Sequence, residues 1–234
     1  WWVHDASNCE FTYLDISPKR GHPGMEQCGV LPSFHGIAMH DCWASCWKYR
    51  DCRHVVCCAH LLRELTGIAE NHPEQKWAAA FTDLLLKMKK IKDKAVEVGK
   101  ESLSYYHYHK FDKRYNELIK QAREENPLPV VAEKKRGRKK KGKILALVER
   151  LDNYKASVCL FIHNFMVSFD NNQAERDIRM IKVKTKVSGC FRSEDGARDY
   201  LKITSYVGTA HKQGYNAYDA IRKAFSGCPD FIFE

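Results

Sequence analysis

Strand-like apolar patterning is carried by residues 1–60. Trp1 to Asp5 and Glu10 to Ile16 are short, aromatic and β-branched, and Ala6-Ser7-Asn8 between them is turn chemistry. This stretch predicts a β-hairpin. Pro18 to Pro23, with Gly21, reads as a loop, and Gly24 to Leu31 as a short helix. Gly36 to His40 is a compact apolar run closing on Asp41, the pattern of a buried parallel strand. Cys42 to Tyr49 has helical spacing, with Cys42, Cys46 and Tyr49 on one face, and His54 to Cys57 reads as another short buried strand.

From His60 the period changes to that of a helix. Trp77, Phe81, Leu84, Leu85, Met88 and Ile91 recur at three and four, as core positions do. Gly99 interrupts, and a second helix is predicted over Phe111 to Arg123, with Tyr115, Leu118 and Ile119 inward. Asn126-Pro127-Leu128-Pro129 stops that helix. Helix resumes over Ile144 to Tyr154 and again over Asn172 to Lys186, Asp195 to Lys212 and Ala217 to Phe225. Gly189, Gly214 and Gly227 follow the last three as stop signals. The predicted plan has four parts. Residues 1–60 are a strand-rich partial core and 61–125 a helical insertion. Residues 126–143 are a linker, and 144–234 a helical part that completes the domain.

Charge narrows the partners. The 234 residues carry a formal net charge of +10. Such a balance favours a polyanion, either nucleic acid or an anionic membrane surface. No strongly basic amphipathic helix with a Trp/Phe/Leu face stands out, so nucleic acid is preferred. No apolar run approaches the roughly 20 residues that span a bilayer, and a cytoplasmic, nucleoid-associated protein is expected. Much of the charge lies in the linker, where Lys134, Lys135, Arg136, Arg138, Lys139, Lys140, Lys141 and Lys143 form a like-charged block. It is expected to be extended by self-repulsion and to contact DNA phosphates. Its alternative is a solvated linker that binds nothing. Arg136-Gly137-Arg138 resembles an AT-hook core, with Lys139 where that motif has proline.

Ten cysteines are irregularly spaced in a chain too large to need disulfide staples, so reduced thiols are expected. Cys42, Cys46, Cys52, His54, Cys57, Cys58 and His60 crowd one segment, but no C-x₂-C pair exists and the strand–helix–strand pattern explains the cysteines as core. His107 and His109 would share a side only if Tyr105 to His109 were extended, so zinc is disfavoured there too.

The richest chemistry lies in Asp170-Asn171-Asn172-Gln173-Ala174-Glu175-Arg176, followed by Asp177-Ile178-Arg179. Asp170, Asn171 and Asn172 are good N-cap residues. Ala174, Ile178 and Ile181 are spaced for one buried face. Asn171 and Glu175 are four apart, as are Glu175 and Arg179, so they project together. A carboxylate flanked by amides and guanidinium groups suits a metal ion held near a phosphate. The plainer alternative is a capped surface helix with one Glu–Arg pair.

The chain resembles the DDE transposases of bacterial insertion sequences, of the IS-sixty-six type. Trp1-Trp2-Val3-His4 and Phe11-Thr12-Tyr13 resemble the paired strands after that family's first acidic motif. His40-Asp41-Cys42-Trp43 sits where the family has a strand ending in its second catalytic Asp. Cys58-Ala59-His60-Leu61-Leu62-Arg63-Glu64 resembles its Cys-Trp-Ala-His-Leu-Arg-Arg segment, and Asp170 to Arg176 matches its Asp-Asn-Asn-x-Ala-Glu-Arg signature. Gly189-Cys190-Phe191-Arg192-Ser193 and Gly196-Ala197-Arg198 fit its C-terminal pattern.

That resemblance implies an α/β (α+β) fold, an RNase H-like mixed sheet with a large α-helical insertion. It implies that Asp41 and Glu175 are the second and third catalytic, metal-binding carboxylates. Asn171, Asn172, Arg176 and Arg179 would orient Glu175 or contact the scissile phosphate, and His60 and Arg63 would be supporting residues. Two Mg²⁺ or Mn²⁺ ions would serve DNA cleavage and strand transfer on transposon ends and target. A homo-oligomer on DNA and accessory proteins of the element are implied partners. The first acidic motif, Asp-Glu-Thr-Gly, is expected upstream of Trp1. Asp5, placed at the hairpin turn, and Asp15, on the following strand, are read instead as solvated strand ends. The chain as numbered is therefore expected to bind metal poorly and not to cleave DNA unaided. The alternative function is a non-catalytic, DNA-binding remnant.

Overall fold

The computed structural model describes residues 1–127 and 142–229. The basic block from Lys134 to Lys141 lies outside the described residues. In chain order the elements are β1 (Trp2–Ser7), β2 (Thr12–Ser17), α1 (His22–Cys28), β3 (Ile37–His40), β4 (Arg53–Val56), α2 (Cys58–Asn71), α3 (Lys76–Glu97), α4 (Tyr105–Glu125), α5 (Lys143–Asn153), α6 (Lys155–Val158), α7 (Leu160–His163), α8 (Asn172–Asp177), α9 (Arg179–Val187), α10 (Glu194–Lys212) and α11 (Ala217–Phe225). The chain is mixed α/β and mostly helical, with small sheets. It divides into two compact units. One holds residues 1–36, 44–52 and the chain from Asn171 on; the other holds 37–43 and 53–170.

In the first unit β1 and β2 pair antiparallel, from Trp2 opposite Ser17 to Ser7 opposite Thr12. Alternation along β2 buries Thr12, Leu14 and Ile16. Leu14 and Ile16 meet Ile181, Ala197 and Leu201 in the unit's core, flanked by Val3, Ile178, Phe191 and Tyr200. The hairpin forms as predicted, but its turn runs from Asn8 to Phe11. The Asn8 side-chain oxygen accepts from the backbone N–H groups of Glu10 (2.9 Å) and Phe11 (2.6 Å). An Asx turn thus wins over the Ala6-Ser7-Asn8 reading, and Asp5 falls inside β1 rather than at a turn.

Helix α10 closes the free edge of β2 with hydroxyl groups. Leu14 N–H donates to Ser205 Oγ (2.9 Å), and Thr12 N–H to Thr209 Oγ1 (3.0 Å). These serines and threonines satisfy edge groups that a further strand would otherwise pair. The approach is close at Gly208, where a Cβ would come 3.1 Å from Thr12 Cβ.

Two local predictions are corrected here. Helix α1 starts at His22, with proline in its first turn, and ends at Gly29 (φ 75°), which supplies the left-handed stop. The predicted helix over Cys42 to Tyr49 does not form. Cys42 has φ 67°, a left-handed value that breaks the predicted helix at its first residue, and only a 3₁₀ turn at Cys46–Lys48 remains. Cys42, Cys46 and Tyr49 are nevertheless buried, which is the signal the spacing carried.

In the second unit β3 and β4 pair in parallel, from Ile37 opposite Arg53 to His40 opposite Val56. β3 is half-buried rather than buried. Trp77, Phe81, Leu85, Tyr115, Leu118, Leu147, Leu151 and Phe161 are among the largest fully buried side chains of the helices that follow. Phe81 meets Tyr115 edge to face at 4.7 Å, and Tyr115 donates its hydroxyl to Leu151 O at 2.7 Å. The predicted stripe of α3 holds to Met88, beyond which Ile91 is half-buried and Lys92 turns inward. Its Nζ donates to Val167 O at 2.5 Å, which offsets part of the cost of burying an ammonium. Helix α4 begins at Tyr105, six residues before the predicted start, so Tyr105 to His109 is helical.

Candidate functional site

Asp41 follows β3 directly and is exposed. Its position is set by a turn built on two imidazoles. Cys42 N–H donates to His40 Nδ1 at 3.1 Å, so that nitrogen is the acceptor and Nε2 carries the proton. Nε2 then donates to His54 Nδ1 at 3.1 Å on the neighbouring strand. Burial, and then the neighbouring His54, push the His40 pKa down to about 4, so His40 is neutral at pH 7. His40 O accepts from Cys57 N at 2.9 Å, which extends the parallel pairing to the end of β3. Asp41 thus sits on a rigid strand end, next to the left-handed Cys42.

Glu175 is half-buried in α8, and its N–H donates to Asn171 O at 3.3 Å. Asn171 occupies the N-cap position, but its side chain makes no capping bond. The backbone carries on through Ile178, whose N–H donates to Ala174 O (3.1 Å), and Lys182 N–H donates to Ile178 O (3.2 Å). The predicted helix over Asn172 to Lys186 is therefore present with a break at Ile178. Of its predicted apolar face Ile181 is buried, while Ala174 and Ile178 are half-buried. Asn172, Arg176 and Arg179 are exposed, and Arg176 donates to Gln173 Oε1 at 2.9 Å.

What ties this helix down is Asp177, a residue the sequence reading passed over. Its Oδ2 accepts from Lys212 Nζ (2.6 Å) and from Thr12 Oγ1 (3.3 Å), and its Oδ1 accepts from Gln173 Nε2 (2.9 Å). The Asp177 and Lys212 side chains are only 11% and 8% exposed. Burial alone would raise the Asp177 carboxyl, but Lys212, Ser7 and Gln173 together hold it below the usual carboxylate value. No sequence signal links positions 35 apart.

Beside it lies Asp5, whose Oδ1 accepts from Ser7 Oγ at 2.5 Å and whose buried Oδ2 has no hydrogen-bond partner. Burial pushes its pKa up to about 6, and the nearby Asp177 adds to this. Asp5 is thus not a solvated strand end. Neither is Asp15, which is paired with Arg198 at 3.1 Å.

The remaining candidates sit on the second unit. His60 is half-buried in the first turn of α2, and Arg63 is exposed one turn on. Cys58 N–H donates to Phe169 O at 3.1 Å, and burial pushes the Cys58 thiol well above its usual range, which suits core packing. Burial likewise pushes Cys159 up to about 12. No disulfide joins any of the ten cysteines. Among the described residues, no group of three or more His, Cys, Asp or Glu is placed to hold a metal ion, and no helix is long and apolar enough to cross a membrane.

These features describe a mostly helical α/β protein with one acidic residue at the end of a parallel strand and another at the start of a helix. The chain belongs to the Transposase IS66 family, whose model matches residues 1–199. The matched span includes Asp41, the Cys58 to Glu64 segment and the Asp170 to Arg176 signature, and it ends before Lys212. No curated protein and no solved structure matches the chain.

Proposed function

We propose that this chain is the catalytic part of a DNA transposase of RNase H-like type, acting on the ends of an insertion sequence. The observation that carries the reading is the family match over residues 1–199, which includes the Asp-Asn-Asn-Gln-Ala-Glu-Arg run. In this reading Asp41 and Glu175 are metal-binding carboxylates. Their donor chemistry fits: both are hard oxygen ligands, on a strand end and on a helix, and Mg²⁺ or Mn²⁺ prefers such ligands. When bound, divalent ions stabilise the charge on the attacking and leaving oxygens of an in-line phosphoryl displacement.

The chain's own residues do the holding. The hydrogen-bonded His40–His54 pair and the left-handed Cys42 fix the backbone at Asp41. The exposed guanidinium groups of Arg176 and Arg179 contact DNA phosphates, with Asn171 and Asn172 beside Glu175 as positioning groups and His60 and Arg63 in support. The basic block from Lys134 to Lys141 adds sequence-independent affinity for duplex DNA. Water cleaves the phosphodiester at the element's end and frees a 3′-OH. That hydroxyl then attacks a target phosphodiester, forming one P–O bond as another breaks.

The test is a duplex carrying the element's terminal sequence, incubated with the full-length protein and Mg²⁺. The expected product is a nick bearing a 3′-OH that disappears with EDTA. Intact DNA, from protein that binds the duplex and carries an in-frame Asp-Glu-Thr-Gly, would overturn the reading.

A further inference from the structure

We infer that Asp177 and Lys212 are positioning residues for Glu175. Helix α8 is six residues long and contains no buried residue, so the half-buried Ile178 at its C-cap, packed against the unit's core, is only a weak apolar hold on its rotation. The described contacts that add to it are polar. Asp177 takes Lys212, Thr12 and Gln173 as donors. Lys212 Nζ also donates to Phe11 O at 2.9 Å, so one ammonium joins α8, the start of β2 and the last turn of α10. The anchor is itself rigid, because Thr209 Oγ1 both accepts from Thr12 N–H (3.0 Å) and donates to Thr12 O (3.3 Å).

Two positions along an α-helix are about 200° apart. Clamping Asp177 against the hairpin therefore turns Glu175 to the far face of α8. A buried ion pair is a poor means of stabilising a fold, since apolar side chains of similar volume serve as well or better. Its attested use is to fix register, and here the register is that of the helix bearing Glu175. A displacement of about 1 Å at a reacting group can cost 100-fold in rate.

This inference rests on the transposase reading and is tested separately from it. The variants are Lys212→Met, the apolar replacement Asp177→Leu/Lys212→Met, and Lys212→Arg, made in the full-length protein. Three quantities are measured: melting temperature, amide exchange across residues 172–178, and the Mg²⁺ concentration for half-maximal cleavage of an end duplex. Lys212→Arg should stay within about 3-fold of wild type. The double variant should recover the melting temperature that Lys212→Met loses. It should nonetheless exchange at least 10-fold faster across α8 and need at least 10-fold more Mg²⁺ for cleavage. A double variant with wild-type exchange and a wild-type Mg²⁺ midpoint would overturn the positioning role alone, whether or not Lys212→Met folds. A wild-type protein that binds the duplex without cleaving it would overturn the transposase reading, and the positioning role with it.

Discussion

Asp5 is held in a place that disfavours its charge, and removing that charge should stabilise the protein. One carboxylate oxygen takes the Ser7 hydroxyl; the other is buried with no partner, near Asp177. Burial raises the carboxyl from about 3.8 to about 6. Because the folded pKa lies above the unfolded one, the folded state binds the extra proton between these values, and stability falls as pH rises through that window. Above pH 6 the cost is complete, at about 3 kcal/mol from 1.36 kcal/mol per pKa unit. At pH 4 it is only about 0.5 kcal/mol.

Asp5→Asn keeps an oxygen for Ser7 and removes the ionisation. Urea unfolding followed by circular dichroism should show it more stable than wild type by about 1–3 kcal/mol at pH 7.5, with little gain at pH 4. Asp177 does not confuse the window. Its pKa is lowered, so its contribution is complete above about 3.8 and is lost only as pH falls below that. An Asp5→Asn protein that is less stable at pH 7.5, or that gains equally at both pH values, would refute the reasoning.

Other outcomes are expected elsewhere. Trp77→Ala removes a fully buried side chain and should cost about 3–5 kcal/mol in urea unfolding. Tyr115→Phe leaves the buried Leu151 carbonyl without its 2.7 Å donor and should cost about 1–2 kcal/mol by the same measurement. Gly24→Ala would put a Cβ against Lys19 O and 2.7 Å from His4 Nε2, and should lower stability by about 1–3 kcal/mol. Replacing the seven cations from Lys134 to Lys141 with Gly and Ser should flatten the log–log salt dependence of duplex binding by up to about 6. An unchanged slope would remove the block from the interface.

Much of the architecture was legible where a single period ran long enough. The stripe from Trp77 to Met88, the C-terminal helices and their glycine stops are readable because many residues vote for one face. Short apolar runs were not. Leu160 to Ile162 is buried on every side and has no period, so α6 and α7 left no signal. Cys42, Cys46 and Tyr49 are buried without being helical, because a spacing of three and four reports burial and not the backbone that achieves it. At the candidate site the motifs single out Asp41 and Glu175 as candidates from local sequence. They miss Asp177–Lys212 and the buried state of Asp5, which arise from contacts between residues far apart in sequence.

The central assignment is that Glu175 serves the chemistry of DNA cleavage, and one comparison tests it most directly. Full-length wild-type and Glu175→Gln proteins are incubated with an end duplex in Mg²⁺, with duplex affinity measured in parallel. The expected result is wild-type affinity in both proteins and cleavage at least 1,000-fold slower in the variant, about 4 kcal/mol of lost transition-state stabilisation. A Glu175→Gln protein that binds and cleaves as wild type does would contradict the assignment.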